Sequence, residues 1–206
     1  MPFTLAPGPD VEHDTGAKGS VFRATLRRVS EPAEALALVD ELRARHPDAR
    51  HHCSAFVIGD DPASRTERSS DDGEPGGTAG IPMLQVLHHR DIVNVAVVVT
   101  RWFGGIKLGA GGLVRAYSGA VATALDGATL VERRRRDRFT LEVGHADAGR
   151  VEAELRGRGA HVLEVHHGSR VTLTLAGDAA TLTGWVASLT SGAGRLQPDG
   201  VEWVDA

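Results

Sequence analysis

A chain of 206 residues has room for one large domain or two small ones, and an apolar fraction of 41% with 24% charged residues suits a globular protein in water. No apolar run approaches the roughly 18 residues of a membrane span, the first residues lack the basic and apolar stretches of a secretory signal, and a single cysteine, Cys53, forms no intrachain disulfide, so a cytoplasmic protein without a membrane contact is expected. The formal charge of -4 excludes a protein that coats nucleic acid through bulk positive charge, which leaves a local patch as the only form an RNA site can take.

After a Pro- and Gly-bearing start that reads as floppy, residues 20–29 alternate as a first strand with one wet face. Ser30, Glu31 and Pro32 supply helix-start signals, and Ala33, Leu36, Ala37, Val39 and Leu42 form the apolar stripe of a helix that ends before Pro47. Residues 52–59 form a second strand. Residues 60–80, rich in Asp, Ser, Gly and Pro, read as a long loop, and loops of that length in a compact domain are usually functional or disordered. A short helix fits residues 81–89. The nearly unbroken apolar run through Val95, Val97, Val98 and Val99 is a central strand buried on both faces. The glycine-dense residues 104–112 then lead into a helix that buries Leu113, Ala116, Tyr117, Ala120, Val121, Ala124 and Leu125.

The run Arg133, Arg134, Arg135, Arg136 interrupts the apolar pattern and reads as a domain boundary and solvated linker, with a nucleic-acid patch as the alternative. Beyond it, Phe139, Leu141 and Val143 mark a strand, and Asp147 is placed to cap a helix carrying Val151 and Leu155 that Gly157 and Gly159 stop. Strands at 162–165 and 171–175 are joined by a hairpin turn at His167, Gly168 and Ser169. A helix burying Leu182, Val186 and Leu189 and a last strand at Val201 and Trp203 complete the order βαββαβ, a split-βαβ, ferredoxin-like plan. The predicted class is α+β, with domains at 1–132 and 137–206.

Chemistry concentrates in two segments, 70–80 (SDDGEPGGTAG) and 97–117 (VVVTRWFGGIKLGAGGLVRAY). Gly109, Gly111 and Gly112 at a helix start would let backbone N–H groups approach an anion, with Lys107 before them, Arg115 one turn in and Arg101 upstream. The segment is neither a P-loop nor a dinucleotide fingerprint, because no Lys-Ser/Thr follows the glycines and Val114 stands at the third glycine position. The competing reading is a sharp turn that packs the helix tightly on the strand. Lys18 and Lys107 are the only lysines among 23 basic residues, which singles both out, against the alternative that they are chance survivors of an Arg bias.

Asp71, Asp72 and Glu74 could hold Mg²⁺, act as an acid–base pair, pair with Lys107 or Arg101, or form a solvated turn in which Asp side chains bond backbone N–H groups. The pairs His51–His52 and His88–His89 with Cys53 do not have metal-ligand spacing, because adjacent residues point apart. No metal, cofactor or catalytic residue is therefore predicted, and Cys53 reads as a small buried hydrophobe. Trp102 and Phe103 could stack bases, but at the end of a buried strand they read as core.

The two segments, with His52, Cys53 and the Lys18, Ser20, Phe22 cluster, resemble the IMPACT (YigZ) family. The resemblance implies a first domain similar to domain 2 of ribosomal protein S5 and domain IV of elongation factor G, and a second similar to domain V of that factor. It implies a translation-related, non-enzymatic regulator that binds RNA, the ribosome or a translation-associated protein. The eukaryotic mechanism, which acts on the initiation factor 2 kinase pathway through an extra N-terminal domain, is not expected with so few residues before Ser20. Gly19, Ser54, Trp102 and Ala110 depart from the family pattern, and Ala110 removes a hydroxyl from the glycine-rich turn. Related folds that hold phosphates suggest the alternative of a phosphate-binding or Mg-dependent enzyme acting on a phosphorylated small molecule.

Overall fold

The computed structural model describes residues 1–206, which divide into two compact units, Met1–Arg133 and Arg134–Ala206. The class is α+β, as expected. No helix is long and apolar enough to cross a membrane.

The first unit is built on a five-stranded antiparallel sheet in the order β2-β3-β6-β4-β5, from β2 (Val11–Ala17), β3 (Ser20–Arg28), β4 (His51–Ile58), β5 (Thr66–Ser70) and β6 (Val95–Trp102). Strand side chains alternate between faces, so β6 feeds two cores at once. Val95, Val97 and Val99 join the cluster under α2 (Gly80–His89) and α3 (Ala110–Asp126), while Ala96 and Val98 face α1 (Pro32–Arg45). This two-sided burial explains the unbroken apolar run.

In α1 the buried stripe is Ala35, Leu38, Val39 and Leu42, spaced three and four apart, whereas Ala33, Leu36 and Ala37 of the expected stripe face water. Two apolar stripes overlap in this sequence and share Val39 and Leu42, and the one that adds Ala35 and Leu38 on the same helical face is the one buried. The start is also ordered. A strand β1 (Phe3–Leu5) pairs with residues 130–132 at the beginning of β7 (Leu130–Val143) and buries Leu5, and β2 follows it. The polar sequence of β2 hides it from a hydrophobicity reading, because an edge strand presents only Val11, Thr15 and Ala17 inward. The same cause conceals β5, a wholly polar edge strand inside residues 60–80 that pairs with β4.

The four arginines at 133–136 are not an open linker; they lie within the continuous strand β7, and Arg133 forms a two-pronged pair with Asp60 at 2.8 and 3.0 Å. In the second unit β7 continues, followed by α4 (His145–Gly157), β8 (His161–His167), β9 (Val171–Gly177), α5 (Ala179–Leu189) and β10 (Leu196–Asp205). The sheet order β10-β7-β9-β8 with this βαββαβ sequence is the split-βαβ arrangement, around a core of Leu141, Val151, Leu155, Leu173, Leu175, Leu182 and Val186. Asp147 does not cap α4. That helix starts earlier, with Gly144 as N-cap, and Asp147 pairs instead with Arg150. The side-chain cap of the second unit is Asp178, whose Oδ1 accepts from the Thr181 N–H at 2.9 Å.

A core of its own should let the second unit fold alone. Residues 134–206 expressed separately are expected to unfold in urea as a single cooperative transition followed by circular dichroism; a gradual, non-cooperative loss of signal would show that the unit depends on the first.

Candidate functional site

The site grows from the ends of β3, β4 and β6, where residues two apart share a face. Ser20 and Phe22, His51 and Cys53, and Val99 and Arg101 all turn toward α3, while His52 and Thr100 turn toward α1. Arg101 is only 5% exposed. Its Nη1 donates to Oε1 of Glu74 at 2.5 Å, a carboxylate whose side chain is 4% exposed, and its guanidinium lies 5.2 Å from the Phe22 ring centre. The Tyr117 hydroxyl, from α3, donates to the same Glu74 oxygen at 2.8 Å, and the Cys53 thiol shares its one proton between the Tyr117 oxygen at 3.3 Å and the Asp71 carbonyl at 3.0 Å. Burial pushes the Cys53 thiol up to about 12 and raises the Tyr117 phenol strongly. Both stay protonated at neutral pH, so neither is a nucleophile there.

The three carboxylates of the 70–80 loop diverge. Asp71 caps α2 from a distance: its Oδ2 accepts from the Gly77 N–H at 2.7 Å, and its Oδ1 from the Ala79 and Gly80 N–H groups at 2.9 and 2.8 Å. Burial pushes this carboxyl up, but those three N–H groups together outweigh it and hold it below the usual carboxylate range. Asp72, with φ of 41°, accepts from Arg43 and from the His52 backbone N–H, each at 2.6 Å. Glu74 alone reaches Arg101. Each carboxylate is thus bound into the fold, and no group of three His, Cys, Asp or Glu side chains is gathered as a metal site. His88 pairs with Glu67 and stands apart from His51 and Cys53.

The glycine-dense loop is closely packed at Gly104 and ends at a helix start without a side-chain cap. A Cβ on Gly104 would lie 1.9 Å from the Gly19 carbonyl carbon, so only glycine lets this loop cross the β2–β3 hairpin. Gly109, at φ of 70°, is the N-cap of α3 and offers no side-chain cap, leaving the first N–H groups of the helix open. Arg101, Lys107, Gly109 and Glu74 line one cleft of about 390 Å³, together with Arg50 and Phe103. Lys18, Arg115 and Gly112 line a different cleft of about 440 Å³, and Leu108 borders both. Gly111 lines neither. The predicted residues therefore flank the start of α3 on two sides, with Glu74 lining the same cleft as Lys107 and with Asp71 and Asp72 outside it.

Lys18, Arg50, Lys107 and Arg115 have no carboxylate within ion-pair reach, whereas Arg23, Arg27, Arg43, Arg45 and Arg90 are all paired. Arg50 carried no signal in the sequence, since a lone Arg before a strand is unremarkable by spacing. Phe103, expected in the core, is 40% exposed because the chain leaves β6 one residue earlier; the Arg50 and Arg101 guanidinium groups lie 5.8 and 5.6 Å from its ring centre. Trp102 points to the opposite face and donates from Nε1 to Asp48 at 2.7 Å.

Residues 18–125 match the Impact N-terminal domain, and residues 141–193 match a domain of unknown function (DUF1949). The chain is 38% identical over 184 residues to the Bacillus subtilis IMPACT family member YvyE, covering 88% of this chain and 84% of that protein. It is 37% identical over 189 residues to the Escherichia coli IMPACT family member YigZ, covering 92% and 93%. A crystal structure described only as that of a hypothetical protein superposes with a TM-score of 0.71 at 36% identity, over 95% of this chain and 97% of that one.

Two outcomes follow from the buried groups. Glu74→Gln leaves the Arg101 charge without a counter-ion and should cost about 3–5 kcal/mol in urea unfolding, while the double change Glu74→Leu with Arg101→Met should cost much less. Burial holds the His52 imidazole below its ordinary value of 6.5, against a weaker upward pull from Asp72. As pH falls below 6.5 the unfolded chain binds the proton first, so this contribution to stability is present above 6.5 and is lost as pH falls through the lower folded value. Urea midpoints should drop on acidification, and His52→Gln should narrow its deficit relative to wild type between pH 8 and pH 5; a constant deficit would show that His52 does not titrate this way.

Proposed function

The chain belongs to the IMPACT family, and from that premise we propose that it is a cytoplasmic, non-enzymatic, translation-related regulator that binds RNA through the cleft beside Lys107. The observation that carries this reading is the gathering of cations without carboxylate partners around an uncapped helix start. A cation left unpaired in a chain rich in carboxylates is available to an anion from outside. Lys107 and Arg50 supply charge at the cleft rim, the open N–H groups of α3 supply donors to a phosphate oxygen, and Phe103 supplies an apolar surface for a sugar or base. The neighbouring glycines keep the approach clear, as a Cβ at Gly105 or Gly109 would meet nothing within 4 Å. The translational context comes from the family rather than from the cleft.

An enzyme acting on a phosphorylated small molecule is the weaker reading, since the carboxylates that would hold Mg²⁺ are already spent on Arg101, Arg43 and backbone N–H groups. Calorimetry with ATP and Mg²⁺ addresses it directly: a saturable heat would favour it over the RNA reading.

The main test is a titration against cytosolic RNA at several salt concentrations. Lys107→Ala should weaken binding at every sequence and lower the slope of log affinity against log salt by about one unit, since one fewer counter-ion is released. Lys107→Arg should recover part of the affinity, and neither change should alter the urea midpoint, because Lys107 is exposed and unpaired. Unchanged affinity and slope in Lys107→Ala would remove this residue from the site; binding to ribosomal protein fractions and not to RNA would turn the reading toward a protein partner.

A further inference from the structure

β2 is an edge strand. It pairs with β3 in unbroken register from Val11 opposite Leu26 to Ala17 opposite Ser20, and no strand lies on its other side. Neither proline nor bulge blunts that free edge, as edge strands commonly require. The strand ends at a two-residue turn in which Lys18 and Gly19 have φ of 46° and 79°. In a hairpin closed this way alternate residues bond the partner strand, so Glu12, Asp14 and Gly16 direct their backbone N–H and C=O groups outward.

Beside this edge α3 presents small residues. Leu113, Tyr117 and Val121 fill the core, but Gly112, Ala116, Gly119 and Thr123 face the 440 Å³ cleft whose opposite wall is Thr15, Gly16 and Ala17. A Cβ at Gly119 would meet nothing within 4 Å. The charge along the groove is uneven: Glu12 and Asp14 are neutralised by Arg45 and Arg23, while Lys18 and Arg115, at the hairpin end, are unpaired. Arg115 leans back along the helix, its Nη1 3.7 Å from where a Gly111 Cβ would stand.

We infer that this groove takes the C-terminal segment of a partner protein, added to β2 as a further strand. The segment runs parallel to β2 and ends with its carboxylate between Lys18 and Arg115. The strand edge stops at Ala17, so a chain laid along it has to end or turn away there, and two cations at that point match a terminal carboxylate. Main-chain hydrogen bonds to the outward groups of Asp14 and Gly16 hold the segment, and the space left by Ala116 and Gly119 of α3 takes the side chains at the facing positions. The inference uses a different cleft from the RNA reading and stands without it.

A library of heptapeptides with free C-termini, panned against the full chain, supplies the probe, and an enriched peptide is resynthesised with an N-terminal fluorophore for anisotropy. Gly119→Leu, which fills the groove, and Arg115→Ala with Lys18→Asn should each weaken binding at least 10-fold. C-terminal amidation of the peptide, or N-methylation of a residue that faces the β2 edge, should do the same. No enrichment over Gly119→Leu protein, or enriched peptides indifferent to amidation and N-methylation, would overturn the inference. Urea midpoints establish that the variants fold; should Gly119→Leu fail to, the exposed pair Lys18 and Arg115 and the modified peptides decide the matter.

Discussion

Arg101 carries its charge at the end of a strand that is buried on both faces, and a guanidinium withdrawn from water in that position requires a counter-ion and hydrogen bonds at fixed places. Glu74 provides the counter-ion and one hydrogen bond and is itself oriented by the Tyr117 hydroxyl, while the Arg101 Nη2 reaches the Ser20 hydroxyl at 3.5 Å and its Nε has no partner. Because Glu74 sits three residues after Asp71, the pair also fixes where the 70–80 loop passes, and Tyr117 brings α3 to the same point. Cys53 closes the circuit by bonding both Tyr117 and the Asp71 carbonyl. Four separate segments of sequence thus converge on one desolvated charge. Such a pair adds little net stability compared with apolar residues of similar size; its effect is to penalise arrangements in which any member is displaced.

Asp71 shows how the loop then hands order to the helix that follows. The start of α2 has no capping side chain at its own N-cap, Ala79. Its orphan N–H groups are met instead by a carboxylate eight residues upstream in the chain, which Cys53 and Glu74 hold in place. The local sequence around Ala79 would predict a frayed helix start, and the loop makes it a firm one. Gly80 is closed in as well, since a Cβ there would lie 2.7 Å from the Ser70 nitrogen. Gly80 therefore serves close packing, Gly73 and Gly77 take φ of 84° and 74°, and of the carboxylates Asp71 and Asp72 serve the backbone while Glu74 serves Arg101.

What is legible in the sequence is what lies between two layers. Val95 to Val99 run unbroken because both faces are buried, while the α3 stripe and the apolar positions of α4, β9 and α5 in the second unit repeat at the period of their element because one face is buried. Edge strands escape that logic. The polar β5 and the mostly polar β2 are held by backbone pairing to a neighbour, and no side-chain pattern announces such pairing. At the site, spacing identifies the right segments but not the division of labour within them. Asp71, Asp72 and Glu74 look equivalent in sequence, yet one caps a helix, one binds a backbone N–H with Arg43, and one neutralises Arg101. That distribution depends on which partners the fold delivers, and Arg50, 24 residues from Glu74 in sequence, becomes its neighbour in the cleft only through the β4–β6 register.

The charge of -4 and a positive cleft are compatible for a physical reason. At physiological salt a charge is felt over about 8 Å, so a ligand at the cleft responds to its nearest groups and not to the total. Arg101, although it is the most buried cation there, contributes little to that local field because Glu74 cancels it at contact distance. Lys107 and Arg50 stand uncompensated at the rim, and the open N–H groups of α3 add to them. The residue that builds the cleft and the residues that charge it are therefore different ones: Arg101 sets the shape through its counter-ion, and the exposed cations set the sign.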